Sequence, residues 1–229
     1  MIVGEQKSLE EIMGLLGDAQ KVLVAGCGTC VTVCFAGGEK EVGILASELR
    51  MKSRLDGHPM EVDEVTVQRQ CEWEYVDPLK ERLGEYDVVL SLACGIGVQA
   101  MNERFASIVT LPGINTTSLS LPVEQGVWEE RCQACGDCIL GTTFGICPIA
   151  RCSKQLLNGP CGGSQEGVCE VDSDLACAWQ LIWDRAMEFG QVERLLEIQP
   201  AKDWSRSRDG GPRKILREDL QLDREGEGT

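Results

Sequence analysis

Eight of the chain's thirteen cysteines lie between residues 132 and 177, and the stretch "RCQACGDCILGTTFGICPIARC" (131 to 152) holds five of them. No other feature restricts the fold as tightly. From about Val127 to Asp172 the hydrophobic period disappears and Gly, Cys and Pro recur every few residues. Such a segment cannot bury enough apolar surface to fold without covalent or metal staples. Which staple applies depends on the compartment. The start, "MIVGEQKSLEEIMGLLG", is not a basic stretch followed by an apolar core, and no run approaches the roughly 18 apolar residues of a membrane span. We therefore expect a soluble cytoplasmic protein. Disulfides are rare there, and an odd thirteenth cysteine would be awkward in a secreted, crosslinked chain. The thiols are read as metal ligands.

Charge narrows the partners. The formal net charge is −15, which argues against nucleic acid, because phosphate binding needs a basic face. Residues 202 to 229 carry seven basic and seven acidic side chains, so the acidic excess sits in the first 201 residues.

Ahead of the cysteine-rich segment the pattern alternates. Ser8 with Glu11 forms a capping box before an apolar helical face of Leu9, Ile12, Met13, Leu15 and Leu16. "KVLVAGC" (21 to 27) reads as a buried strand, "EVGILASELRMKSRL" (41 to 55) as a helix, "EVTVQRQC" (64 to 71) as a strand and "PLKERLGEY" (78 to 86) as a short helix. "DVVLSLAC" (87 to 94), "VQAMNERF" (98 to 105) and "SIVTLPGI" (107 to 114) follow as strand, helix and strand. This order predicts an α/β class with a Rossmann-like parallel sheet over residues 1 to 125. A small cysteine-rich, ferredoxin-like iron-sulfur module is expected over 126 to 200. There "SDLACAWQLIWDRAMEFG" supplies a helix capped by Asp172 or Ser173, with Leu175, Trp179, Ile182, Trp183 and Ala186 on one face. Residues 201 to 229 read as an extended or partner-binding tail, with Trp204 and Leu216 as contacts.

Cys132-x2-Cys135-x2-Cys138 is the spacing by which three thiolates reach three corners of a cubane, and a Cys-Pro such as Cys147-Pro148 commonly completes the bacterial ferredoxin pattern. Eight thiols make two sets of four, hence two [4Fe-4S] clusters. The alternative is two structural zinc sites, although those usually show paired CxxC hooks. Cys132, Cys135 and Cys138 should share one cluster, with Cys177 proposed as the fourth ligand because a helix N-terminus favours thiolate. Cys147, Cys152, Cys161 and Cys169 would mostly serve the second. Glycines 136, 141, 145, 159, 162 and 163 let the backbone curl and turn N–H groups toward sulfur.

In the first part, Cys27, Cys71 and Cys94 each fall at the carboxyl end of an expected strand, the edge where open α/β sheets bind ligands. Cys30 and Cys34 are expected on one face of the helical turn that follows Cys27. Five thiols converging on one edge favour a third metal centre, another [4Fe-4S] or zinc, with Cys34 or Cys71 as a spare buried residue. A competing reading is nucleotide binding, since "GIGVQA" (95 to 100) fits the G-x-G-x-x-A fingerprint; however, no acidic residue ends a strand about 20 positions on. The sole histidine, His58, is read as a surface residue. No Ser/His/Asp set, paired carboxylates or P-loop is present, so no catalytic residue is assigned.

The run from Cys132 to Trp183, through "CP" (147 and 148), "RCSKQLLNGPCGG" (151 to 163), "CEV" (169 to 171) and "CAW" (177 to 179), resembles the C-terminal domain family of bacterial methylenetetrahydrofolate reductases. With "GCGTCVTVCFAGGEKEV" (26 to 42) ahead of it, the whole chain resembles the small MetV-type iron-sulfur subunit found in acetogens and related anaerobes. That resemblance implies a partner: a TIM-barrel catalytic subunit whose FMN reduces methylenetetrahydrofolate to methyltetrahydrofolate. The chain itself is below the usual size of such a barrel and has too few strand-helix units for one. The implied role is a non-catalytic subunit that supplies electrons, with a link to a larger electron-transfer or bifurcating complex. The resemblance carries over the cysteines as ligands and nothing else. The rival role is a zinc-stabilised scaffold for the catalytic subunit.

Overall fold

The computed structural model describes residues 1–221, and the chain divides into two compact units at the bond between Arg131 and Cys132. In the first unit the chain runs β1 (Ile2–Gln6), α1 (Leu9–Leu16), β2 (Lys21–Cys27), α2 (Cys30–Val33), α3 (Glu39–Leu55) and β3 (Glu61–Val67). It continues through α4 (Trp73–Val76), α5 (Lys80–Leu83), β4 (Val88–Ser91), α6 (Gly95–Arg104), β5 (Val109–Pro112), β6 (Ile114–Glu124) and β7 (Val127–Glu130). Local signals start the helices. The Ser8 hydroxyl accepts the Glu11 amide at 3.1 Å, while the Glu11 carboxylate pairs with Lys7. Before α3, the Glu41 carboxylate accepts the Gly38 amide at 3.1 Å.

Four strands form a parallel sheet in the order β3-β2-β4-β5. Both of its faces are covered, which is why β2 and β4 read as continuous apolar runs. Val22 and Val24 pack on the side of Ile12, Leu45 and Leu49, whereas Leu23 and Ala25 pack on the side of Leu79, Leu83 and Met101. Each fully buried aliphatic side chain contributes about 1.5–3 kcal/mol. From β2 the chain moves to β3 on one side and then returns to β4 on the other. The order therefore reverses between β2 and β4, and such a switch point opens a crevice at the carboxyl ends of the strands.

Several boundaries differ from the sequence reading. The third strand is Glu61–Val67 rather than 64 to 71, because Gln68 to Glu72 turn away from the sheet. The helix expected from Glu41 begins at Glu39, and the one expected from Val98 begins at Gly95. A second, antiparallel sheet, β1-β6-β7, was not anticipated. Its strands are mostly exposed, so polar Thr and Ser interrupt the apolar alternation that would have marked them.

The second unit contains α7 (Pro148–Arg151) and α8 (Ala178–Glu188) around a small core of Ile146, Cys177, Trp179 and Ile182. The helix expected from residue 172 or 173 starts later because the preceding residues form a turn. The Asp172 carboxylate accepts the Asp174 amide, the Cys169 amide bonds to the Leu175 carbonyl, and the Cys177 amide bonds to the Gly167 carbonyl. Of its expected face, Trp179, Ile182 and Ala186 are buried, while Leu175 and Trp183 are each 45% exposed. The tail is a series of short 3-10 turns, Trp204–Arg206, Arg208–Gly210 and Glu218–Leu220. Its last part, 222–229, lies outside the described residues. No described helix is long and apolar enough to cross a membrane.

Candidate metal centres

All thirteen cysteines are free thiols. In the first unit three of them fall at or beyond the carboxyl ends of the parallel strands. Cys27 is the last residue of β2, Cys94 is the N-cap of α6 and lies three residues beyond β4, and Cys71 lies four residues beyond β3. The Cys27 Sγ lies 3.8 Å from the Gln68 carbonyl oxygen and 3.7 Å from the Thr29 hydroxyl. Burial pushes the Cys71 thiol up from its ordinary pKa, and the neighbouring Cys27 and Cys94 thiols push in the same direction. Ligation needs thiolates, so metal uptake here releases protons. Cys30 opens α2, two residues beyond Gly28.

Cys34 belongs elsewhere. It is the C-cap of α2, a helix only four residues long, and its Sγ accepts the Gly4 amide of β1 at 3.4 Å. Cys34 is buried against β1, whereas Cys30 is only partly buried. Cys34→Ala is expected to leave the metal content per chain unchanged, and loss of metal on elemental analysis would contradict this placement.

Gln70 was not anticipated. Fully buried, its amide nitrogen donates to the Ala25 and Gly26 carbonyls at 2.9 and 3.0 Å, and its carbonyl accepts the Ser91 hydroxyl at 2.6 Å. It thereby ties the Cys71 loop to the ends of both β2 and β4. Gln70→Met keeps the volume but removes the donor to the Ala25 and Gly26 carbonyls and the acceptor of the Ser91 hydroxyl, and should cost roughly 1–3 kcal/mol in chemical denaturation. The glycines of "GIGVQA" also have a structural cause. A Cβ on Gly97 would fall 2.7 Å from the Ala93 Cβ and 2.9 Å from the Gln70 Cβ, and the Gly95 amide donates to the Thr116 hydroxyl at 2.8 Å.

In the second unit one cavity is lined by Cys152, Cys161, Cys169 and Cys177, with Lys154, Glu170 and Trp179 around them. Cys177, expected beside Cys132, Cys135 and Cys138, lines this cavity, and Cys147 is not among its lining residues. Trp179 holds the wall: a Cβ on Gly159 would sit 2.4 Å from its indole, and its Nε1 donates to the Leu156 carbonyl at 3.0 Å. The Ser153 hydroxyl and the amides of Val171 and Asp172 hold the Cys169 thiol below its ordinary pKa. This grouping leaves Cys132, Cys135, Cys138 and Cys147 as the other four.

The backbone around both sets turns amides toward sulfur. The Ala134 amide donates to Cys132 Sγ at 3.3 Å, and the Gly163 amide to Cys161 Sγ at 3.4 Å. Positive φ angles at Ala134 (50°), Gly136 (83°) and Gly162 (81°) produce this curl. Among the described residues no three Cys, His, Asp or Glu side chains are grouped closely enough to hold a single ion. The donors are of the chemical type that iron-sulfur clusters take: free thiols, four of them lining one cavity, with backbone amides directed at two of the sulfurs.

Residues 111–205 match the family model described as methylene-tetrahydrofolate reductase C terminal. No curated protein and no solved structure matches the chain at a significant level.

Proposed function

We propose, from the premise that residues 111–205 are a segment of the methylene-tetrahydrofolate reductase C-terminal family, that this chain is the small MetV-type iron-sulfur subunit of such a reductase. It works in the cytoplasm and carries electrons to the flavin of a separate catalytic subunit, which receives them from a further electron-transfer complex through this chain. The observation that carries the reading is the cavity lined by Cys152, Cys161, Cys169 and Cys177. Cys132, Cys135, Cys138 and Cys147 would hold a second cluster, and Cys27, Cys30, Cys71 and Cys94 a third. When bound, a [4Fe-4S] cluster supplies one-electron storage at a potential set by its surroundings.

The residues of this chain then have defined tasks. The cysteines ligate, Gln70 and Trp179 fix the loops that bear them, and the Ala134 and Gly163 amides stabilise negative charge on sulfur. A test is anaerobic reduction of the flavin in the co-purified complex by a one-electron donor. Flavin bleaching should need this chain and should slow in Cys161→Ala. Equal bleaching of the catalytic subunit alone would overturn the electron-carrying role and favour a metal-stabilised scaffold.

A further inference from the structure

Lysine is seldom buried, because a desolvated ammonium is costly unless it is compensated. Lys202 is nevertheless only 1% exposed at its side chain. It donates to the Asp137 carbonyl within the loop from Cys132 to Cys138, and that same oxygen is the acceptor facing Cys135 Sγ at 3.7 Å. The remaining compensation is thin: the Asp137 carboxylate at 3.7 Å, itself 46% exposed, and the face of Trp204 at 5.9 Å.

Lys202 is not alone. The Arg213 Nη1 donates to the Ala134 carbonyl at 2.8 Å and to the Arg206 carbonyl at 3.2 Å. The backbone crosses the loop so closely that a Cβ on Gly136 would fall 2.3 Å from the Arg206 oxygen. The turns that make this crossing are fixed internally, with Ser207 buried and its hydroxyl donating to the Trp204 carbonyl. Residues 202 to 213 thus fold back over the CxxCxxC loop of their own chain and bring two cations, Lys202 and Arg213, to it, in a molecule whose net charge is −15.

We propose that this segment is a cationic strap whose Lys202 sets the reduction potential of the cluster held by Cys132, Cys135 and Cys138. The inference rests on the iron-sulfur reading above. A four-thiolate cluster is anionic and gains one further negative charge when an external low-potential donor passes it an electron. A fixed cation beside the Cys135 sulfur favours that reduced state and raises the potential. Once Cys135 is a thiolate ligand it no longer donates to the Asp137 carbonyl, which is then left to Lys202. Lys202 is a positioning residue; it ligates nothing.

The test is a mediated redox titration of the full chain, purified anaerobically and followed by EPR, with dithionite as the reductant. In Lys202→Met, which keeps the stem and removes the charge, one cluster should shift to lower potential. The expected size is about tenfold in its reduced-to-oxidised ratio, equivalent to about 59 mV for a one-electron couple. The shifted signal should be the one that Cys135→Ser removes, and Lys202→Arg should restore the wild-type value. Arg213→Gln should move the same signal in the same direction. Full iron content with unmoved potentials would overturn the proposal, as would loss of iron from Lys202→Met, which would make the strap merely structural. A wild-type chain that contains zinc and no iron fails at the earlier step, and that result is distinct from the others.

Discussion

Cys161→Ala is expected to remove about four of the roughly eight iron atoms that the second unit should bind. The position is chosen because Cys161 is exposed, so the substitution opens no core cavity, and its Sγ accepts the Gly163 amide. The loss should exceed that of one ligand's share, since a cubane deprived of a corner thiolate loses its anchorage. Equivalent losses are expected for Cys152→Ala and Cys169→Ala, because these thiols line the same cavity. The double variant Cys161→Ala with Cys169→Ala should lose no more than either single one. Additive losses of about eight atoms would show that these cysteines serve different clusters and would break the grouping. The unit should also loosen. Its apolar core is limited to a few side chains around Ile146, Trp179 and Ile182, so removing a staple removes much of what holds it.

The second large effect concerns Trp179. Truncating a buried tryptophan to alanine typically costs 3–5 kcal/mol, and here the indole also closes the wall over Gly159 and satisfies the Leu156 carbonyl. Trp179→Ala should lower the denaturation midpoint of the second unit and release the iron held by Cys152, Cys161, Cys169 and Cys177. Trp179→Phe keeps most of the apolar surface and loses the indole donor, so it should retain iron with a smaller loss, about 1 kcal/mol for the missing hydrogen bond. Chemical denaturation with iron analysis on both variants checks this. A fully loaded, unshifted Trp179→Ala would mean the indole does not support the site.

Much of this was legible in the chain before any coordinates. "KVLVAGC" and "DVVLSLAC" read correctly as buried parallel strands because both sheet faces are covered, and the cysteines at or after their ends follow from that topology. The limits have physical causes. β6 is largely exposed and rich in Ser and Thr, so its alternation carries little hydrophobic signal. Cys34 sits at helical spacing from Cys30, but α2 stops after one turn, and the thiol turns to Gly4 instead. Cys177 reads from the chain as a helix-start ligand for the Cys132, Cys135 and Cys138 set; the turn from Asp172 to Ala176, which no local pattern marks, places it on the wall of the cavity that Cys169 also lines. Gln70 and Lys202 could not be read from the chain, because their roles arise from burial beside distant backbone, and burial of one polar side chain leaves no local pattern.

Iron, sulfide and zinc analysis of the full chain purified without oxygen, combined with EPR of the dithionite-reduced protein, tests the central claim most directly. The account predicts about 8–12 iron atoms per chain with matching sulfide and a reducible signal from more than one cluster. A colourless, EPR-silent protein holding zinc in the same cysteine sets would contradict it.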